Sequence, residues 1–209
     1  MDVNGLKTLH DQLLLQIKQK CDEFRAIWQI ADEHILFREL VFCLLTPQSN
    51  AHRAWDAVCM MERDHFLRSP SREKLLPIVH MVRFHNNKTS YILEAHKKHY
   101  GRLQQPLSSF ANDEQRRSWL VQSVKGLGMK EASHYLRNIG FMEELAILDR
   151  HILRRLCELQ VITEVPSSLS YKRYLQIEEA MRRFAEAHTI PMAHLDMVFW
   201  FDANRELFK

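Results

Sequence analysis

Val124-Lys125-Gly126-Leu127-Gly128-Met129-Lys130 opens the stretch that decides the fold, VKGLGMKEASHYLRNIGFMEELAILDRHILR, from Val124 to Arg154. Helical periodicity ends near Val124, two glycines form a tight turn, and helical spacing resumes from about Met129 to Asn138, closed by Gly140. Asp149 then opens a further helix carrying Ile152, Leu153 and Leu156. Gly126 and Gly128 tolerate positive φ and the close approach of another backbone. Such a hairpin exposes backbone N–H groups beside a helix N-terminus, which suits a phosphate oxygen and reads no sequence. Two glycines between helices also serve as a plain turn. The segment is not a dinucleotide fingerprint, because Glu131 replaces the third glycine and no strand precedes it; a Walker A motif is also absent.

Lys130 falls in the first turn of the second hairpin helix. There the positive end of the helix dipole disfavours an ammonium, and a partly buried neutral lysine is a nucleophile. Asp149 follows 19 residues later at the start of the next helix. It suits an N-cap, and it can cap while presenting a carboxylate to a site.

Outward from this stretch the chain reads as helices throughout. Gly numbers 5 and Pro 6 of 209 residues, under the usual shares of about 7% and 5%. An all-β sandwich needs many more turn residues. Leu9, Leu13, Ile17 and Phe24 mark a first helix; Ile35 to Cys43 mark a second, entirely buried, that stops near Thr46-Pro47. Asn50 and Ser71 look like N-caps of the next two helices, and Asn86 or Asn87 starts another that Gly101 ends. Leu103 to Asp113 is the most loop-like segment. Asn112 or Asp113 precedes a helix through Trp119 and Val124, and two more helices run from about Ser170 to His188 and from Pro191 to Asn204.

An apolar content of 46% argues against disorder. Net charge is +3 with histidine neutral, too small to identify a partner. The longest apolar run, Leu40 to Leu45, is far short of the ~20 residues that span a bilayer. The N-terminus lacks a basic region followed by an apolar one, so no secretory signal is expected. Cys21, Cys43, Cys59 and Cys157 form no CxxC, which excludes a zinc ribbon or an iron–sulfur run. Cys43 and Cys59 read as buried thiols, and an intracellular (cytoplasm or nucleoid) location is expected. His96-x-x-His99 offers two ligands with no third at a recognisable spacing, so no metal is expected.

A helix–hairpin–helix, a lysine at the start of its second helix and an aspartate about 19 residues later resemble the helix–hairpin–helix DNA glycosylase superfamily. GLGMKEASHYLRNIG followed by LAILDRHILR resembles one branch, the short 8-oxoguanine DNA glycosylase/lyase of archaea and some bacteria. Leu45-Thr46-Pro47-Gln48-Ser49-Asn50 and the ending Phe199-Trp200-Phe201 … Phe208-Lys209 extend the resemblance to about residues 35–209. Two features depart from the wider superfamily. Lys125 stands where many members carry proline, and the four C-terminal cysteines of endonuclease III-like members are missing, which favours the 8-oxoguanine branch.

The resemblance implies an all-α, helix–hairpin–helix glycosylase fold: a single 1–209 unit with one lobe over about 48–140, a second from about 1–47 plus 141–209, and a DNA-binding cleft flanked by both. It implies a bifunctional repair enzyme that flips 8-oxoguanine out of double-stranded DNA, excises it, and cleaves the abasic site by β-elimination. Lys130 would be the nucleophile and Asp149 the carboxylate that stabilises charge on the sugar. Gln48 would fill the gap left by the flipped base, and Lys125, Gly126 and Gly128 would hold phosphates. Trp200 would stack on the base, with Met81 and Phe84 as further candidates, and Lys209 would discriminate 8-oxoguanine from guanine. A monomer without cofactor, metal or membrane is expected. On the residues alone, a glycosylase for another damaged base, a non-catalytic DNA-binding module and a helical adaptor remain open.

Overall fold

The computed structural model describes residues 1–208 of the chain, and Lys209 lies outside the described residues. Eleven helices are described: α1 (Val3–Ile30), α2 (Glu33–Leu45), α3 (Ala51–Arg63), α4 (Arg72–Val79), α5 (His85–His99), α6 (Gln104–Ser109), α7 (Asp113–Ser123), α8 (Met129–Asn138), α9 (Arg150–Glu158), α10 (Tyr171–His188) and α11 (Met192–Asn204). No strand occurs among the described residues, and no helix there is long and apolar enough to cross a membrane.

The chain divides into two compact units, one from Ile27 to Tyr135, the other from Met1–Ala26 together with Leu136 onward. The division falls inside α1 and inside α8, so residues 27–47 belong with the central segment rather than with the terminal one. In the central unit α2 is buried from Leu36 to Leu45 except at Arg38, and Asp32 caps it by accepting from the N–H groups of His34 and Ile35. Asn50, Ser71 and Asn112 cap α3, α4 and α7 through their side-chain oxygens.

Three local readings are corrected. The start of α5 is not capped by an asparagine. Phe84 occupies the cap with a φ of +58° and no side-chain hydrogen bond, and Asn86 instead accepts from Arg72 at 2.7 Å. The segment expected to be a loop forms α6, whose first N–H groups have a distant acceptor. The Glu33 carboxylate accepts from Leu103 and Gln104, each at 2.8 Å, completing the helix start from 70 residues away. Cys59 is exposed, because α3 buries the stripe Ala54, Ala57, Val58 and Met61 and Cys59 faces away from it.

In the terminal unit α1 buries Leu6, Leu13, Ile17, Cys21 and Phe24 along one stripe. Gly140 ends α8 with a φ of +100°, and Phe141 N–H donates to Leu136 O at 2.9 Å, the six-residue closure of a glycine-terminated helix. A Cβ at Gly140 would stand 2.9 Å from Arg25 Cα and 3.1 Å from Phe24 O, so only glycine lets α1 pass this close. Arg137, stacked on Phe24 at 5.1 Å, pairs with Asp196 at 2.9 Å. Burial, reinforced by the Asp149 charge and opposed by Arg137, pushes the Asp196 carboxyl up to about 6.

Candidate functional site

The hairpin joins α7 to α8 within the central unit. Leu127 N–H closes the turn on Val124 O at 3.2 Å. Gly126 takes a φ of +92° and lies directly against the Tyr91 ring. Gly128 has no left-handed φ; a Cβ there would meet Glu131 Oε2 at 3.1 Å, so its role is clearance for a side chain rather than backbone freedom. The first N–H of α8 to find a main-chain acceptor is that of Ala132, on Gly128 O at 2.9 Å. The N–H groups before it open the helix at the positive end of its dipole.

Lys125 is exposed and stands 3.7 Å from the Glu94 carboxylate. Lys130 has a side chain 27% exposed. Its amine is paired with Glu131 at 3.0 Å. Past this pair α8 dives inward: every residue from Ala132 to Ile139 is buried. Gln48 lies in the turn between α2 and α3, exposed, with a φ of +52°. The hairpin residues are therefore brought together, and Gln48 occupies a separate turn of the same unit.

In the terminal unit, Asp149 is half-buried and caps α9. Its Oδ1 accepts from both His151 N–H and Ile152 N–H at 2.8 Å, and Oδ2 takes no part in the cap. The position of Asp149 is fixed by residues the sequence did not single out. The preceding segment, Leu145 to Leu148, is buried and non-helical, so its main-chain groups need partners. Glu178 accepts from Ala146 N–H at 2.7 Å; Tyr174 Oη donates to Ala146 O at 2.6 Å and accepts from Leu148 N–H at 3.3 Å. Tyr174 and Glu178 are one turn apart on α10, and that spacing was the available signal. Trp200 on α11 stands edge-on to His151, ring centroids 6.4 Å apart, and its indole N–H meets no acceptor among the described residues. Lys209 lies outside the described residues.

Other groups prove structural. Burial lowers the His99 imidazole, which faces Ser123 O at 3.2 Å, and His96 stacks on Tyr100 at 4.5 Å. A cavity of about 580 Å³ in the terminal unit, against Glu143, Arg182, Glu186 and Met192, is lined by none of the candidate residues.

Comparison with known proteins covers nearly the whole chain. The family model for 8-oxoguanine DNA glycosylase matches residues 17–190. An 8-oxoguanine DNA glycosylase/AP lyase of Fusobacterium nucleatum is 39% identical, covering 99% of this chain and 97% of that protein. One from Methanocaldococcus jannaschii is 35% identical over 92% and 91% of the two chains. Among solved structures, the 8-oxoguanine DNA glycosylase of Thermotoga maritima superposes with a TM-score of 0.89 at 31% identity, covering 99% of this chain and 97% of that one. The 8-oxoguanine glycosylase/lyase of Methanocaldococcus jannaschii in complex with 15mer DNA containing 8-oxoguanine gives 0.90 at 31% identity, over 99% and 98%.

Proposed function

The chain belongs to the 8-oxoguanine DNA glycosylase family, and from that premise we infer that it excises 8-oxoguanine from DNA and cleaves the abasic site that remains. It is a DNA repair enzyme, an N-glycosylase and an AP lyase, whose partner is DNA containing 8-oxoguanine. The observation that carries this is identity of 32–39% to proteins of that activity over more than nine-tenths of the chain.

We assign the chemistry as follows. The damaged nucleotide must leave the stack before any side chain reaches its C1′, at a cost of a few kcal/mol. Gln48 enters the vacated position, where an amide can both donate to and accept from an orphaned base. The hairpin at Lys125, Gly126 and Gly128 holds a backbone phosphate. Its open N–H groups and positive helix end support this reading, since they bind anions without reading sequence. Trp200 stacks on the extruded base, and Lys209 distinguishes 8-oxoguanine, whose N7 donates a hydrogen bond, from guanine, whose N7 accepts one.

Lys130 Nζ, released from Glu131 and giving up a proton, attacks C1′ as the glycosidic bond breaks and its electron pair leaves with the base. The C1′–N bond becomes an iminium when the sugar ring opens. Loss of a C2′ proton then expels the 3′ phosphate by β-elimination, so a single amine serves both activities. Asp149 stabilises the positive charge on the sugar. Its cap geometry supports this role, because Oδ1 carries both main-chain hydrogen bonds and Oδ2 remains for the substrate. We propose that the functional unit is the chain 1–209, acting as a monomer.

Borohydride trapping tests the reading. A covalent adduct on a duplex with 8-oxoguanine opposite cytosine, lost in Lys130→Gln, is the expected result. An adduct on abasic DNA alone would move the specificity to another lesion. DNA binding with no adduct on either duplex would leave Lys130 as a phosphate contact and favour a non-catalytic module.

A further inference from the structure

We propose that Lys88 is a positioning residue for base extrusion: through Ser49 its buried ammonium ties the Gln48 turn and the Phe84 turn into one preformed element. The inference rests on the role assigned to Gln48 above. Lys88 projects from α5 and is only 3% exposed. Its Nζ donates to Leu45 O at 2.7 Å, Pro47 O at 2.8 Å and Ser49 Oγ at 2.9 Å. An ammonium has three protons, and all three are used. Leu45 is the last residue of α2, so one acceptor is a helix-end carbonyl that has no partner within its own helix.

Ser49 carries the tie onward. Its Oγ also accepts from Arg83 N–H at 3.1 Å and donates to Pro47 O at 3.4 Å. Residues 45–49 and 83–88 are thereby joined around one charge. On either side stands a non-glycine residue in the left-handed region, Gln48 at +52° and Phe84 at +58°. Both are exposed, Phe84 by half, so neither is held there by burial of its own side chain. Backbone strain of this kind persists only where the surroundings over-determine it, and it concentrates at functional sites. Here the surroundings are the ammonium and the serine hydroxyl.

The two exposed side chains suit two halves of one event. The Gln48 amide matches the edge of an orphaned base, and the half-exposed Phe84 ring, with the Arg83 guanidinium 5.4 Å from its centre, presents a stacking face to an unpaired base. Holding both turns in place before DNA arrives removes an ordering cost from the encounter. Burial lowers the Lys88 amine to about 8; Glu131 opposes the shift, and Lys130 and Arg83 add to it. The group therefore still carries its three protons at neutral pH.

The test is a double-mutant cycle on the full chain, read by single-turnover excision from an 8-oxoguanine duplex and by affinity for an undamaged duplex. Lys88→Met, Ser49→Ala and Gln48→Ala are each expected to slow excision about tenfold, equivalent to about 1.4 kcal/mol, with undamaged-duplex affinity within about twofold. Lys88→Met with Gln48→Ala should be no slower than the slower single variant, because both remove the same element. Additive losses, or a parallel loss of undamaged-duplex binding, would overturn the proposal. If Lys88→Met fails to fold, Ser49→Ala, which deletes one hydroxyl, carries the same cycle with Gln48→Ala. Wild-type protein that neither excises 8-oxoguanine nor forms the borohydride adduct would overturn the assigned function, and this proposal with it. Wild-type excision with an additive cycle would overturn the role of Lys88 alone.

Discussion

Replacing Gly126 by alanine should unsettle the hairpin through two separable costs. Its φ of +92° is closed to L side chains, and forcing one there costs about 1–2 kcal/mol. The new Cβ would also stand 2.3 Å from Tyr91 Cδ2, 2.8 Å from Cε2 and 2.9 Å from Cγ. Pushing a ring out of its place costs about 1–3 kcal/mol more. The two together reach about 2–5 kcal/mol, a fall in melting temperature of roughly 5–15 °C for a chain of this length. Gly101 supplies the control, since its φ is +73° but a Cβ there meets nothing within 4 Å. Gly101→Ala should therefore incur the backbone cost alone. Urea titration of Gly126→Ala, Tyr91→Ala and the double variant isolates the contact, with an expected coupling of about 1–3 kcal/mol. Duplex affinity of Gly126→Ala, measured by fluorescence anisotropy at fixed salt, should fall as the hairpin N–H groups move. Equal costs at positions 126 and 101, or no coupling to Tyr91, would refute the argument that the ring sets the hairpin.

Asp149→Asn should keep α9 intact, because asparagine caps nearly as well as aspartate. Excision should nevertheless fall on the order of 10²–10³-fold, while Asp149→Ala loses both; thermal melting beside single-turnover rates separates the two effects. Tyr174→Phe strands Ala146 O and Leu148 N–H in a buried segment, which should cost about 1–3 kcal/mol in urea unfolding and lower excision more than duplex binding. For Asp196 the folded value of about 6 lies above the unfolded 3.8, so the folded state binds more protons between them. Its stabilisation is full below pH 3.8 and is lost as pH rises through 6, about 3 kcal/mol in all. Urea titrations from pH 4 to 7 should show the wild type losing that much more stability than Asp196→Asn; parallel profiles would refute the assignment. Gly140→Ala should cost more than Gly126→Ala, because the atoms in the way belong to the backbone of α1 and cannot rotate aside.

What the sequence revealed was whatever depended on near neighbours. Asn50, Ser71 and Asp149 cap helices through N–H groups two or three residues on, and each was legible from its own surroundings. The hairpin and the order Lys130, then Asp149, were legible for the same reason. The start of α6 was not, because its acceptor, Glu33, is 70 residues away. The start of α5 was misread because Phe84, with no polar side chain, takes the cap position through a left-handed backbone. Lys88 was not singled out in the sequence. Two of its three acceptors are main-chain carbonyls, which no side-chain pattern betrays. Tyr174 and Glu178 offered only their one-turn spacing on α10, since they serve the backbone of the segment ahead of Asp149.

The separation of α1 from the rest of its unit bears on synthesis. His10 of α1 faces His194 of α11 at 3.0 Å, a contact spanning 184 positions. At translation rates of roughly 5–20 residues per second, that partner emerges some 10–40 seconds after His10. The continuous segment Ile27–Tyr135 meets no such delay and can fold as it leaves the ribosome. During the wait, Leu6, Leu13 and Ile17 have no buried face to join. The nascent chain thus carries an amphipathic helix with its apolar stripe uncovered until α11 emerges.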